Sequence, residues 1–328
     1  PLPITVEINP IDYCNHACTW CFTSSHREAD RMDRGTLERL IEELAAGETR
    51  SIHFAGGGEP TVFRGLVRNR NADTDAPPSI LHRAHSHGLT TGMISNGSIL
   101  GAIDHDELLA DLAWIRFSVD AGSELRYQVT HQPKGHTLAD LHRWIGELVT
   151  RRGARRHPSI GASFIIDANT RAVRREVLAF CRDMAALGVD YVQIKPENSN
   201  RGAESSDFLA GIEDEIAEAL GGTLTFAMLN APYDSDDNSE YCWYSYLGPV
   251  VGATGDAYVC CYTYGQDAFR YGRLEAKTGF QDLWNDPGRM AVVDRITPRS
   301  CTSCRHSTAN LLMERLASLS CASWDEIG

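Results

Sequence analysis

No run of about 18 consecutive apolar residues occurs in the 328-residue chain, so no segment is expected to span a membrane as a helix. The opening stretch PLPITVEINP lacks the basic patch of a secretory signal and reads directly into a strand, so a cytoplasmic protein is expected. Positive charge is in deficit: 31 Lys and Arg face 44 Asp and Glu, a formal net charge of −13. Nucleic acid and anionic membrane both require a basic footprint, so neither is an expected partner. An acidic surface serves solubility, and it tolerates a cationic ligand. No internal repeat is visible, and the only low-complexity patch is the acidic DSDD at 234–237. Cysteine is almost missing from the middle of the chain, where Cys181 alone lies between Cys21 and Cys242.

The remaining cysteines are therefore grouped at the two ends. One group is Cys14, Cys18 and Cys21; the other is Cys242, Cys260, Cys261, Cys301 and Cys304, with Cys321 in the tail. Even dispersal suits a disulfide framework, whereas clustered thiols in a reducing compartment read as metal ligands. Cys181 falls in a periodic helical segment and is expected in the core.

The middle alternates β-rich and helical runs. Strands are expected at 4–8, 51–55, 90–94, 115–119, 160–166 and 191–194, and helices at 36–46, 78–86, 106–112, 139–151 and 171–187. Such alternation predicts βαβ units on a parallel sheet, an α/β fold of the partial (β/α)6 barrel type, with the chemistry at the C-terminal ends of the strands. The polar stretch at 198–207 reads as a connector, with a helical piece at 208–220 and a strand at 223–228 at the barrel's edge. From Tyr241 onward the texture turns to Gly, Tyr, Cys and Trp with little long periodicity, as in a small loop-rich domain held by metal. The expected division is 1–205, 206–240 and 241–328.

The first cysteines form C-x3-C-x2-C directly after the first strand. Three thiolates can ligate three irons of a cubane and leave the fourth open to a chelating small molecule. Zinc would need a fourth ligand, which His16 inside the loop could offer. Gly56-Gly57-Gly58-Glu59-Pro60 follows the second strand, Ser95-Asn96-Gly97 the third, and the fourth reads Arg116-Phe117-Ser118-Val119-Asp120. Together these motifs resemble the radical S-adenosylmethionine (SAM) superfamily. The resemblance implies a [4Fe–4S] cluster on Cys14, Cys18 and Cys21, with SAM at its open iron. It also implies adenine against the backbone of Trp20, the SAM amino group on the turn of Gly57, Gly58 and Glu59, and its carboxylate and ribose near Ser118 and Asp120. Asn96 and Ser163 should face the same cavity, with Asn169 just beyond strand five. Gln193, Lys195 and Glu197 alternate onto one face of the last strand, and polar residues buried there need a ligand or an internal network. Glu7 and Asn9 share a face of the first strand, where Glu7 can meet substrate or brace the SAM loop.

Cys242, the spacing Gly255-x4-Cys260 and the pair Cys301-x2-Cys304 resemble the auxiliary-cluster domain called SPASM, or its shorter form, twitch. The resemblance implies a second [4Fe–4S] cluster on Cys242, Cys260, Cys301 and Cys304, although four-thiolate spacing alone does not separate iron from zinc. Residues 305–320 contain no cysteine, so ligands for a third cluster are missing. Either Cys260 or Cys261 can be the ligand; the glycine spacing favours Cys260. Cys261 is then a thiol near the barrel mouth, able to return a hydrogen atom to a carbon radical. The expected catalytic residues are Cys261, Glu7 and Glu197.

The expected reaction is hydrogen abstraction by a 5′-deoxyadenosyl radical, with epimerisation through Cys261 placed ahead of two-electron oxidation of a cyclitol or aminosugar. Modification of a ribosomally made peptide is the third reading. The minimal auxiliary domain resembles the aminoglycoside-biosynthesis members of the neomycin C epimerase and 2-deoxy-scyllo-inosamine dehydrogenase types. A cationic sugar is the expected substrate, with Glu7, Glu197, Asp234, Asp236 and Asp237 as candidate ammonium acceptors. The resemblance further implies a flavodoxin or ferredoxin reductant.

Overall fold

The computed structural model describes residues 2–24, 30–73, 76–167, 170–197, 212–222, 225–228, 241–296, 301, 304 and 306–325. The connector at 198–207, Asn169 and the acidic patch at 234–237 lie outside the described residues, as does the side chain of Cys321.

Six strands stand where the alternation puts them: β1 (Thr5–Ile8), β2 (Ser51–Phe54), β3 (Thr90–Ser95), β4 (Trp114–Ser118), β5 (Ser159–Ile166) and β6 (Tyr191–Pro196). They pair in parallel in chain order, and β7 (Thr225–Met228) continues the sheet beside β6. The linking helices are α1 (Arg34–Ala46), α2 (Ile80–Ser86), α3 (His105–Asp111), α4 (Glu124–His131), α5 (Leu138–Arg152), α6 (Arg171–Leu187) and α7 (Glu213–Leu220). Alternation along each strand sends one set of side chains to the helices and the other to the barrel interior. Val6, Ile8, Ile52, Phe54, Ile115 and Phe117 are buried against the helices. Glu7, His53, Arg116 and Ser118 occupy the intervening positions and face inward.

The helices form for local reasons. In α6, Val173, Val177, Phe180, Cys181 and Met184 recur at helical spacing and are buried, which makes Cys181 a core residue. Thr170 caps its first turn by accepting from the Val173 N–H, and Gly188 ends it at φ 74°, in the left-handed region that favours glycine.

The C-terminal region continues the same sheet. β8 (Val250–Val251) pairs in parallel with the free edge of β1, and β9 (Asp256–Tyr258) and β10 (Arg270–Arg273) follow antiparallel. Beyond them lie α8 (Phe280–Asn285), α9 (Pro287–Val293) and α10 (Ser307–Asp325). The 19-residue α10 differs from the loop-rich texture expected after Tyr241. Ser307 and Asn310 are its buried residues among those described, and Leu312 and Leu316 are exposed, although Leu312, Leu316 and Leu319 recur at helical spacing in the sequence.

Two rings close the N-terminal end of the barrel. A Cβ on Gly92 would lie 2.1 Å from the Trp114 indole, and one on Gly161 would lie 2.2 Å from the Tyr191 ring. Gly161→Ala is therefore expected to cost roughly 1–3 kcal/mol through overpacking. The measurement is a urea titration, in which the midpoint should fall at unchanged slope. An unchanged midpoint would show that Tyr191 moves aside freely.

Candidate active site

Cys14, Cys18 and Cys21 line one side of a cavity of about 430 Å³ at the C-terminal ends of the strands. Their loop leaves β1 and is fastened at several points. The N–H groups of Ala17 and Thr19 donate to the carbonyls of His131 and Thr130 at 3.1 and 2.9 Å. The Asn15 amide donates to the Ser98 hydroxyl at 2.6 Å. Polar groups also reach the sulfurs. Asn96 Nδ2 lies 3.8 Å from Cys14 Sγ, the Thr23 hydroxyl 3.1 Å from Cys21 Sγ, and His131 Nδ1 3.4 Å from Cys18 Sγ. Such contacts suit thiolates that carry a cluster's charge. His16 is buried beside His131 and His136, and the donor atoms of His16, Cys18 and His131 lie within 4.8 Å of one another.

The glycine turn after β2 abuts this loop. A Cβ on Gly57 would lie 2.0 Å from Asp12 Oδ1, and one on Gly58 2.1 Å from the Tyr13 carbonyl, so only glycine permits the approach. Glu59 is buried and accepts four hydrogen bonds. They come from the Thr61 N–H at 3.0 Å, the Thr61 hydroxyl at 2.6 Å, the Ser95 hydroxyl at 2.8 Å and the Asn96 N–H at 2.7 Å. Burial pushes its carboxyl above the usual carboxylate range, and the donors pull the other way. Glu59 thus locks the β2 and β3 ends together. Asp120, 1% exposed, sits at φ 52° just past β4, a conformation that costs about 1–3 kcal/mol in a non-glycine residue. It is held by its N–H, which donates to the Ser163 carbonyl at 3.0 Å, and by His131 Nε2 at 3.3 Å from its carboxylate.

Trp20, Asn96, Ser118 and Asp120 line the same cavity as the three cysteines and the glycine turn, and so do Glu7, Lys195 and Cys261. Ser163, Gln193 and Glu197 do not line it. Ser163 is buried behind the Asp120 turn. Gln193 faces the interior below the cavity, and its side-chain oxygen lacks a hydrogen-bond partner among the described residues. Glu197 lies beyond the end of β6 at Pro196, so strand alternation no longer directs it inward, and its N–H donates to the Ile166 carbonyl at 2.9 Å.

Several cavity residues escaped the sequence reading. His53 lies beside Glu7 with Nε2 3.0 Å from the carboxylate. Arg116 and Trp114 join from β4, Tyr244 and Tyr262 from the C-terminal region, and His306 from the start of α10. Inward alternation on β2 and β4 was a usable signal for His53, Trp114 and Arg116. None marked Tyr244, Tyr262 or His306.

Cys242 and Cys260 form a second, buried thiol group. Burial pushes Cys242 up to about 11, and the neighbouring Cys301 and Cys304 thiols add to it. Cys260 is pushed up to about 12 by burial and then by Cys242 and Cys301. Four mutually repelling thiols in an apolar surrounding fit a bound iron–sulfur cluster, whose positive irons reverse both penalties. Asn310, fully buried on α10, donates to Cys304 Sγ at 3.6 Å and accepts from the Tyr244 N–H at 2.8 Å. Cys261 instead faces the cavity. Its thiol is pushed well above its ordinary value by burial and then by Glu7, and Sγ lies 4.0 Å from His306 Nε2. The His306 ring stacks on Tyr244 with centroids 3.4 Å apart and planes at 4°, and burial pushes its imidazole down to about 4.

A barrel whose cavity joins three loop cysteines to a glycine turn, with a second thiol group beside it, defines an iron–sulfur enzyme that uses SAM. Residues 8–152 match the radical SAM superfamily and residues 242–305 the iron–sulfur cluster-binding domain SPASM. The chain carries both domains, and SAM and [4Fe–4S] clusters are its cofactors. It is 22% identical over 240 residues to dTDP-4-amino-4,6-dideoxy-D-glucose ammonia-lyase of Streptomyces venezuelae. That match takes in 67% of this chain and 47% of the relative, so the chain spans about half the relative's length. Among solved structures, SuiB of Streptococcus suis bound to S-adenosylmethionine aligns with a TM-score of 0.65 at 14% identity, over 95% of this chain and 74% of that one. The anSMEcpe protein with bound AdoMet aligns with a TM-score of 0.63 at 18% identity, over 92% and 88%. These likenesses establish the fold. Among the described residues no helix is long and apolar enough to cross a membrane.

The division of labour between the two adjacent cysteines can be read by iron analysis after anaerobic reconstitution. Cys261→Ala should keep the wild-type content of about eight irons, and Cys260→Ala should fall to about four, one cubane's worth. The opposite result would exchange the two roles.

Proposed function

We propose that this chain is a radical SAM epimerase acting at a carbon of a small sugar-type molecule, with Cys261 returning the hydrogen atom. The observation that carries the reading is the placement of Cys261 in the SAM-side cavity while Cys260 lies with Cys242, Cys301 and Cys304. Cys14, Cys18 and Cys21 would hold the first cluster, and Cys242, Cys260, Cys301 and Cys304 the second. Trp20, the Gly57–Gly58 backbone, Asn96, Ser118 and Asp120 would surround SAM. Bound there, SAM supplies a 5′-deoxyadenosyl radical that removes a hydrogen atom from the substrate.

The protein's own residues set the fate of the substrate carbon. Glu7, braced by His53, can accept a hydrogen bond from a substrate hydroxyl or ammonium group. The Cys261 S–H can give its hydrogen atom to the opposite face of the carbon radical, inverting it. The thiol is the form that carries this hydrogen, and burial of Cys261 favours it. Donation leaves a thiyl radical on Cys261. One electron from a flavodoxin- or ferredoxin-type reductant and one proton restore the thiol. The sugar-active relative supports the substrate class. The competing readings are oxidation of a cyclitol or aminosugar, which gives Cys261 no task, and epimerisation or cross-linking of a ribosomally made peptide, of which the epimerisation would use Cys261 in the same way on a different substrate.

Turnover of the sugar substrate in D2O separates epimerisation from oxidation. The wild type should place one solvent deuterium at the inverted carbon, because the thiol exchanges with solvent. Cys261→Ala should still form 5′-deoxyadenosine but no epimer. Deuterium-labelled epimer from Cys261→Ala would overturn the assignment.

A further inference from the structure

The reaction proposed above gives Arg116 no task, although it lines the cavity. Arg116 is the central residue of β4, on the inward face between Trp114 at the closed end and Ser118 at the SAM end. Its guanidinium stays protonated at any accessible pH and offers five donors in a planar fork. The Nε is buried and has no hydrogen-bond partner, and no carboxylate lies within ion-pair distance of the group among the described residues. Arg126 and Arg152, also partly buried, are paired with Asp167 and Asp190, and Arg289, which has no carboxylate, lies instead over the Trp284 and Tyr246 rings. Glu7, an inward carboxylate on β1 that lines the same cavity, is committed to His53 at 3.0 Å. In a chain with 44 acidic residues, a cavity cation left without a counter-charge is costly unless a ligand supplies one. The planar fork is matched by a carboxylate or a phosphoryl group.

We propose that Arg116 is a substrate-binding residue and that the substrate carries an anionic group, carboxylate or phosphoryl, which the guanidinium holds at the closed end of the cavity. Glu7 and His53 then meet a hydroxyl or amine from β1 and β2. The inference rests on the reading of this cavity as the site of a small sugar-type substrate. It replaces a polycationic substrate with an acidic or zwitterionic one. Ser118 stands two residues nearer the SAM end, roughly 6.5 Å along the strand, so Arg116 reaches deeper than the groups expected around SAM.

The test is anaerobic calorimetry on the holoenzyme with both clusters reconstituted and SAM bound. The probes are glucose, glucosamine, glucuronate and glucose-6-phosphate. Wild type should bind one of the two anionic sugars at least about tenfold more tightly than glucose, the worth of one charge-assisted hydrogen bond. Which of the two wins tells carboxylate from phosphoryl. Arg116→Gln should bring that sugar to the level of glucose, and Arg116→Lys should keep most of the preference. Equal binding of all four, failure of both anionic sugars to bind, or tightest binding of glucosamine would overturn the proposal. So would a preference that survives Arg116→Gln, or an Arg116→Gln variant that loses SAM affinity while its sugar selectivity is unchanged, since the anion would then be the SAM carboxylate. The wild-type panel decides alone if the variants do not fold. Binding needs no turnover, so failure of the epimerase reading, seen in the deuterium experiment, leaves this result legible.

Discussion

β1 is hydrogen-bonded along both edges, and the reactive parts of the molecule depend on that. On one side Thr5 to Ile8 pair with Ser51 to Phe54. On the other, the N–H groups of Thr5, Glu7 and Asn9 donate to the carbonyls of Leu247, Pro249 and Val251 at 3.2, 3.0 and 2.8 Å. An open β1 edge would expose unpaired amides. Closing it with β8 places the second thiol group beside the loop that leaves β1. Two further contacts fix the angle between them. The Tyr264 hydroxyl donates to Asp12 Oδ1 at 2.6 Å, and the Glu43 carboxylate accepts from the N–H groups of Phe280 and Gln281 at 2.8 and 2.7 Å. The Glu43 contact is also a helix cap, so it satisfies orphan donors of α8 while joining the two regions.

The same economy governs the cavity wall. Glu59 is buried, which by itself is unfavourable, yet its two oxygens answer four donors on two strand ends. A fully satisfied buried polar network is rigid, whereas a partly satisfied one is destabilising. Asp120 differs: its N–H is held by the Ser163 carbonyl in a left-handed conformation and His131 Nε2 lies 3.3 Å from its carboxylate, yet its Oδ1 is buried with no hydrogen-bond partner among the described residues. His131 is the shared element, touching both the Asp120 carboxylate and the Cys18 sulfur. Rigid support of this kind keeps reacting groups within the tolerances that radical chemistry demands.

The cysteine spacing, the glycine turn and the strand alternation were enough to read the barrel from sequence and to bring Trp20, Asn96, Ser118 and Asp120 to the cavity of the three cysteines, because each depends on residues close along the chain. The limits were equally local. Glu197 stands one residue past the end of β6 at Pro196 and does not line the cavity. α10 was missed although Leu312, Leu316 and Leu319 recur at helical spacing, because the loop-rich texture that begins at Tyr241 was carried to the end of the chain. His306 and Tyr244 reach the cavity only because Asn310 ties α10 to the segment after Cys242, a contact across 66 positions that no local pattern encodes. His53 and Arg116 were legible as inward residues, but their meanings differ through pairing: His53 has Glu7, and Arg116 has no partner among the described residues.

Pairing of neighbours along the chain also explains why two cysteines stand side by side at 260 and 261. Cys260 has φ −162° and ψ 170°, a fully extended backbone. Successive side chains on extended backbone point to opposite sides. One thiol of the dipeptide must therefore face the group made by Cys242, Cys301 and Cys304, and the other must face away from it, which here is into the cavity between Glu7 and Lys195. The segment that carries Cys260 to the buried thiol group therefore carries Cys261 to the cavity with it: Cys260 lies just past β9, and Cys261 opens the short 3-10 turn Cys261–Thr263. The adjacency is thus a geometric device, one that sets a second thiol at a fixed distance from the buried group.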